Sequence, residues 1–110
     1  MFADTRLATY GSLAPDRPNH HQLAGIDGRW LTGIVRGRLV CEGWGAAMGF
    51  PALILDASGP AIEVHIFESA ELPEHWPRLD AFEGVQYRRV AVEVETPEGR
   101  LDTSIYVFGG

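Results

Sequence analysis

Apolar and polar positions alternate with a period of two along most of this chain, which predicts strands with one face buried. The clearest case is Val90, Val92 and Val94 against Ala91, Glu93 and Glu95. Pro97-Glu98-Gly99 supplies a turn, and Leu101 to Phe108 returns as the partner strand. Leu7 to Tyr10 reads as a first strand. Trp30 to Val40 reads as a long strand or a bent pair, with Leu31, Val35 and Leu39 on one face together with Gly33 and Gly37. Glycines inside a strand predict a bulge or a close backbone approach. Pro51 to Leu55 and Ala61 to Phe67 complete the strands, the second with Ile62, Val64 and Ile66 on one face.

Two segments break the alternation. Asn19 is placed to cap a single helical turn through His20, His21, Gln22 and Leu23, stopped by Gly25. Between Leu72 and Gly84 the period lengthens: Leu72, Trp76, Leu79 and Glu83 fall at i, i+4, i+7 and i+11, one stripe of a helix. Pro77 requires that this helix either begin near it or kink there. Gly84 is the expected stop.

The 110 residues hold no repeat, low-complexity tract or linker, so 1–110 reads as one domain. Apolar residues at 45% and charged residues at 22% give a globular composition. No apolar run reaches the ~20 residues of a membrane span, and no secretory leader is visible. Cys41 is the only cysteine, which excludes an internal disulfide or a thiolate zinc cluster and fits a reducing, cytoplasmic setting. The net charge is −6, and all nine basic residues are Arg. Nucleic-acid binders rely on a basic patch, so the charge argues against that class of partner and leaves a small or zwitterionic ligand open.

Glu83 shares the apolar stripe at a helix C-terminus. Burial and the negative end of the helix dipole both disfavour its ionised form. A carboxyl so placed can exchange a proton near neutral pH. A salt bridge to Arg88 or Arg89 is the structural alternative. Tyr10-Gly11-Ser12-Leu13 ends the first strand in a turn whose Gly11 lacks a Cβ, so its backbone N–H groups can face a ligand. His20 and His21 do not face one another on a helix and have no third ligand nearby, so they form no metal site. Cys41 reads as a small core residue. Trp30, Trp44 and Trp76 read as core or rim aromatics, and Arg36 and Arg38 as solvated.

Tyr10-Gly11-Ser12-Leu13 with Pro18-Asn19-His20, then Leu79-Asp80-Ala81-Phe82-Glu83-Gly84 with Tyr87 and Arg89, resemble the gamma-glutamylcyclotransferase-like superfamily. The match is closest to its short AIG2-like and gamma-glutamylamine cyclotransferase branch and runs from Leu7 to Phe108. The resemblance implies an α+β fold: a small mixed β-barrel flanked by short helices. It implies Glu83 as catalytic acid/base. It also implies Tyr10, Gly11, Ser12, Leu13 and Tyr87 as the residues around a γ-glutamyl substrate, with no metal or organic cofactor. Three positions depart from the family pattern. Ile62 stands where relatives keep Gly, His65 replaces an aromatic, and Phe108 lacks the hydroxyl often found there, whereas Tyr106 matches a common Tyr. Two classes follow, a cyclotransferase and a non-catalytic metabolite- or partner-binding module of the same fold, and Glu83 favours the first. Whether Tyr87 and Arg89 face the cavity or clamp the helix to the next strand stays open. So do the leaving amine and the oligomeric state.

Overall fold

The computed structural model describes residues 2–10, 23, 25–40, 52–84 and 87–108. A short 3-10 turn, Phe2–Thr5, leads into β1 (Arg6–Thr9). Then come β2 (Arg29–Val40), β3 (Ala52–Leu55), β4 (Ala61–Glu68), a helix α1 (Leu72–Glu83), β5 (Tyr87–Thr96) and β6 (Gly99–Phe108). The turn around Gly11, Ser12 and Leu13, the predicted capped turn before Leu23, Cys41 and Trp44 lie outside the described residues.

Five strands close into a mixed barrel in the order β2-β4-β1-β6-β5 and back to β2. All these pairs are antiparallel except β1 with β6. The seam is the contact of Ile34 with Glu95. It exists because Gly33 has no side chain: a Cβ there would stand 2.5 Å from Val94 Cγ1 and 2.9 Å from the Glu95 carbonyl. Of the two meanings an in-strand glycine can have, close approach is the one realised here. Gly37 does the same for β3, where a Cβ would meet the Ile54 carbonyl at 2.6 Å.

The alternating strands sort their apolar residues into two layers. Inside the barrel pack Ala8, Val35, Leu53, Val64, Ile66, Val94, Ile105 and Val107, with Ile62, Val90, Val92 and Tyr10 against them. On the outer face, Leu7, Phe67 and Tyr106 meet Leu72, Trp76 and Leu79 of α1 together with Leu23 and Ile26. Ile62 thus adds bulk to the barrel interior. Leu39 departs from expectation and is 46% exposed. Pairing with β4 stops at Arg36, and from Gly37 to Val40 the strand has run past it and pairs with β3. Arg36 and Arg38 are exposed, as the sequence predicts.

The helix starts at Leu72, with proline in its first turn, and continues through Pro77. A start near Pro77 is therefore ruled out. Pro77 lacks the N–H that would bond one turn back, yet the stripe of Leu72, Trp76 and Leu79 is buried on both sides of it. Packing outweighs the single lost hydrogen bond. Gly84 ends the helix as expected, with φ 86° and its N–H donating to the Asp80 carbonyl at 3.0 Å. No described helix is long and apolar enough to cross a membrane.

Candidate functional site

The last turn of α1 delivers Glu83 to the edge of the barrel. The residue continues the buried stripe and is itself half-buried. Removal of water from its carboxyl pushes its pKa from 4.5 up to about 7. Desolvation is the cause, as the stripe position predicts. Of the two arginines considered as partners, Arg89 is engaged by Asp80 through Nε at 3.0 Å and Nη2 at 3.3 Å, and Arg88 is exposed.

Tyr10, Tyr87 and Tyr106 gather around this end of the helix. Burial raises the Tyr10 phenol well above its ordinary range, and the nearby Glu83 and Tyr87 add to the effect. Burial does the same to Tyr106, helped by the Asp80 carboxylate and by Glu83. Glu83 thus acts on both Tyr10 and Tyr106, and the Tyr87 N–H donates to the Gly84 carbonyl at 3.2 Å just past the helix end. Tyr87 packs on the helix-side layer and meets the Phe108 ring edge-on, centroids 6.2 Å apart.

Tyr10 has a double role. Its hydroxyl donates to the Tyr106 carbonyl at 2.7 Å and accepts from the Leu53 N–H at 3.2 Å. A phenol has one proton and two lone pairs. Its proton is therefore committed to latching β1, β3 and β6 together, and only one lone pair is left to meet a ligand.

Asp80 is the residue that sequence reasoning passed over as a site member. It accepts from the Tyr106 hydroxyl at 2.6 Å and from Arg89. The Arg89 guanidinium lies over the Trp76 ring, 4.2 Å from its centroid. Arg89 therefore clamps the helix to β5, which resolves one of the two alternatives left open for it. The available signal was Asp80 three residues before Glu83, with Tyr106 and Arg89 on outward-facing positions of neighbouring strands. His65 lies on the outer face of β4, opposite Thr9 and Thr32. Among the described residues no three His, Cys, Asp or Glu side chains gather as a metal ion would require.

Comparison with known proteins finds similar folds. YkqA from Bacillus subtilis is 28% identical with a TM-score of 0.73, over 96% of this chain but only 36% of its own. This chain thus spans about a third of that protein's length. An AIG2-like protein of Mus musculus matches with a TM-score of 0.73 at 23% identity, over 96% of this chain and 77% of its own. An uncharacterized protein of Pyrococcus horikoshii follows at 25% identity and a TM-score of 0.65, over 96% and 79% respectively. No curated protein is similar enough to count as a match. The family described as gamma-glutamyl cyclotransferase, AIG2-like, matches residues 7–110. With that match over nearly all its length, this chain belongs to the AIG2-like gamma-glutamyl cyclotransferase family.

Proposed function

We propose that this protein is a cyclotransferase that converts a γ-glutamyl amide into 5-oxoproline and a free amine or amino acid, with Glu83 as its acid/base. The observation that carries this reading is the Glu83 carboxyl, desolvated at the end of α1 and raised to about 7. A group of that pKa accepts and returns a proton with similar ease near neutrality.

The chemistry needs little else. The substrate brings its own nucleophile, the α-amine, and the γ-carbonyl it attacks. Glu83 as carboxylate takes a proton from the α-ammonium. The amine nitrogen then forms a bond to the γ-carbon and the bond from that carbon to the leaving nitrogen breaks. The proton held by Glu83 and the second proton shed by the new lactam nitrogen both pass to the leaving nitrogen, which departs as an ammonium. No water is consumed and no protein nucleophile is required. Holding the substrate in the cyclising shape supplies much of the acceleration. To the Gly11-Ser12-Leu13 turn, which follows Tyr10 directly in the sequence, we assign the substrate carboxylate through its backbone N–H groups. Tyr10 and Tyr87 are assigned as walls of the site, with no cofactor involved.

The test is 5-oxoproline release from a panel of γ-glutamyl amines and γ-glutamyl-amino acids, wild type beside Glu83→Gln. Release by the wild type, with turnover at least about 100-fold lower in the variant, is the expected result. No release from any substrate would overturn the reading in favour of a binding module.

A further inference from the structure

One turn before Glu83, three hydrogen bonds converge on the Asp80 carboxylate from two different strands. Tyr106 of β6 donates from its hydroxyl at 2.6 Å, and Arg89 of β5 donates from Nε at 3.0 Å and Nη2 at 3.3 Å. The same guanidinium is covered by the Trp76 ring at 4.2 Å. Trp76 and Asp80 are four residues apart on α1, so one helix face grips Arg89 between a ring and a carboxylate. Trp76 is itself held, its Nε1 donating to the Asp4 carbonyl at 3.0 Å.

As a source of stability this arrangement is modest, because the Asp80 side chain is 45% exposed and ion pairs in water contribute little. Its geometric consequence is larger. Residues three apart on a helix share a face, so fixing Asp80 fixes the rotation of the turn that carries Glu83. The Gly84 N–H bonded to the Asp80 carbonyl ends the helix from the same residue. There is an electrostatic consequence as well. An uncompensated Asp80 anion would push Glu83 further toward its protonated form, and Arg89 cancels that charge. Burial pushes Asp80 up, but the bonds from Arg89 and Tyr106 outweigh it and leave it below the usual carboxylate range.

We propose that Asp80, Arg89 and Tyr106 are positioning residues, a charge-neutral clamp that sets the direction and the electrostatic surroundings of the Glu83 carboxyl. The kinetic consequence rests on Glu83 being the acid/base; the electrostatic one does not. Among the described residues, the titratable and charged groups bordering this end of α1 are Tyr10 just after β1, Tyr87 and Arg89 from β5, and Tyr106 from β6. Asp4 of the 3-10 turn acts on Arg89.

The test is a carbon-13 NMR titration of the Glu83 carboxyl in the wild type, Asp80→Asn, Arg89→Gln and Arg89→Lys, with kinetics alongside. Asp80→Asn leaves the Arg89 cation uncompensated and lowers the midpoint by about one pH unit. Arg89→Gln leaves the Asp80 anion uncompensated and raises it by a similar amount, and Arg89→Lys restores it. A general loosening of the fold would move both variants the same way. Tyr106→Phe keeps the ring and both charges, so kcat should fall about tenfold with KM unchanged. Unchanged midpoints, or shifts of one sign in both charge variants, would overturn the clamp, as would wild-type kcat in Tyr106→Phe. Opposite shifts in a protein that releases no 5-oxoproline would uphold the clamp and reject the acid/base reading. Glu83-dependent turnover without the shifts would do the reverse.

Discussion

The inside of the barrel and the layer between barrel and helix are built from the same strands, yet they are different materials. Inside are Ala8, Val35, Leu53, Val64, Ile66, Val94, Ile105 and Val107, aliphatic side chains with no polar atoms. Outside, under α1, are Trp76, Tyr106, Phe67 and Tyr87, several with polar atoms that must find partners. Trp76 finds the Asp4 carbonyl and Tyr106 finds Asp80. Aliphatic packing dominates the first layer, whereas directed bonds fix the second. A carboxyl raised toward neutrality sits where the two meet, and there Tyr10 packs against the inner layer and bonds to the backbone of Tyr106. The barrel supplies a rigid wall and the helix layer supplies orientation.

The largest break in this comparison is a substitution that touches only the barrel. Gly33→Val places its side chain against Val94 Cγ1 and the Glu95 carbonyl, where even a Cβ has 2.5 and 2.9 Å. A loss of about 3 kcal/mol is expected from denaturant unfolding, with the seam between β2 and β5 opening first in hydrogen exchange. Next is the site itself. Glu83 binds its proton more tightly folded than unfolded, because its pKa rises from 4.5 to about 7. Its contribution to stability is therefore intact below about pH 4.5 and lost as pH rises through about 7. Glu83→Gln should match the wild type in stability at pH 4 and exceed it by about 2 to 3 kcal/mol at pH 9, read from melting curves at the two pH values. Tyr10→Phe sharpens the comparison at the meeting point. It removes a donor from the Tyr106 carbonyl and an acceptor from the Leu53 N–H. Calorimetry should show a loss of about 1 to 2 kcal/mol. Smallest is Gly99→Ala in the exposed β5–β6 turn, where φ is 105°. It should cost about 1 kcal/mol and leave the site untouched.

The two layers also differ in how far the sequence reveals them. Alternation in β4, β5 and β6 predicts the barrel strands because each side chain there answers only to the question of which face it lies on. Even the close approach at Gly33 is legible, since an in-strand glycine has few other meanings. The overshoot at Leu39 is not, because strand length relative to a partner is a tertiary fact. The stripe from Leu72 to Glu83 places the helix and singles out its carboxylate. Pro77 misleads only as to where the helix starts, and packing decides that against propensity. Asp80 is the more instructive miss. Its importance comes from partners on β5 and β6, 9 and 26 residues away, and its spacing from Glu83 within α1 does not reveal them. Tyr10 is legible as a neighbour of the site, but the commitment of its proton to the Tyr106 carbonyl depends on strand order.

The central claim is that burial at the end of α1 gives Glu83 the pKa that the proposed acid/base role requires. The pH dependence of kcat/KM for 5-oxoproline release tests it most directly. Glu83 must be ionised to accept the ammonium proton, so the rate should fall on acidification with a midpoint near the value to which desolvation raises the carboxyl, about 7. A midpoint at the ordinary carboxylate value of about 4.3, or a profile that Glu83→Gln leaves unchanged, would contradict it.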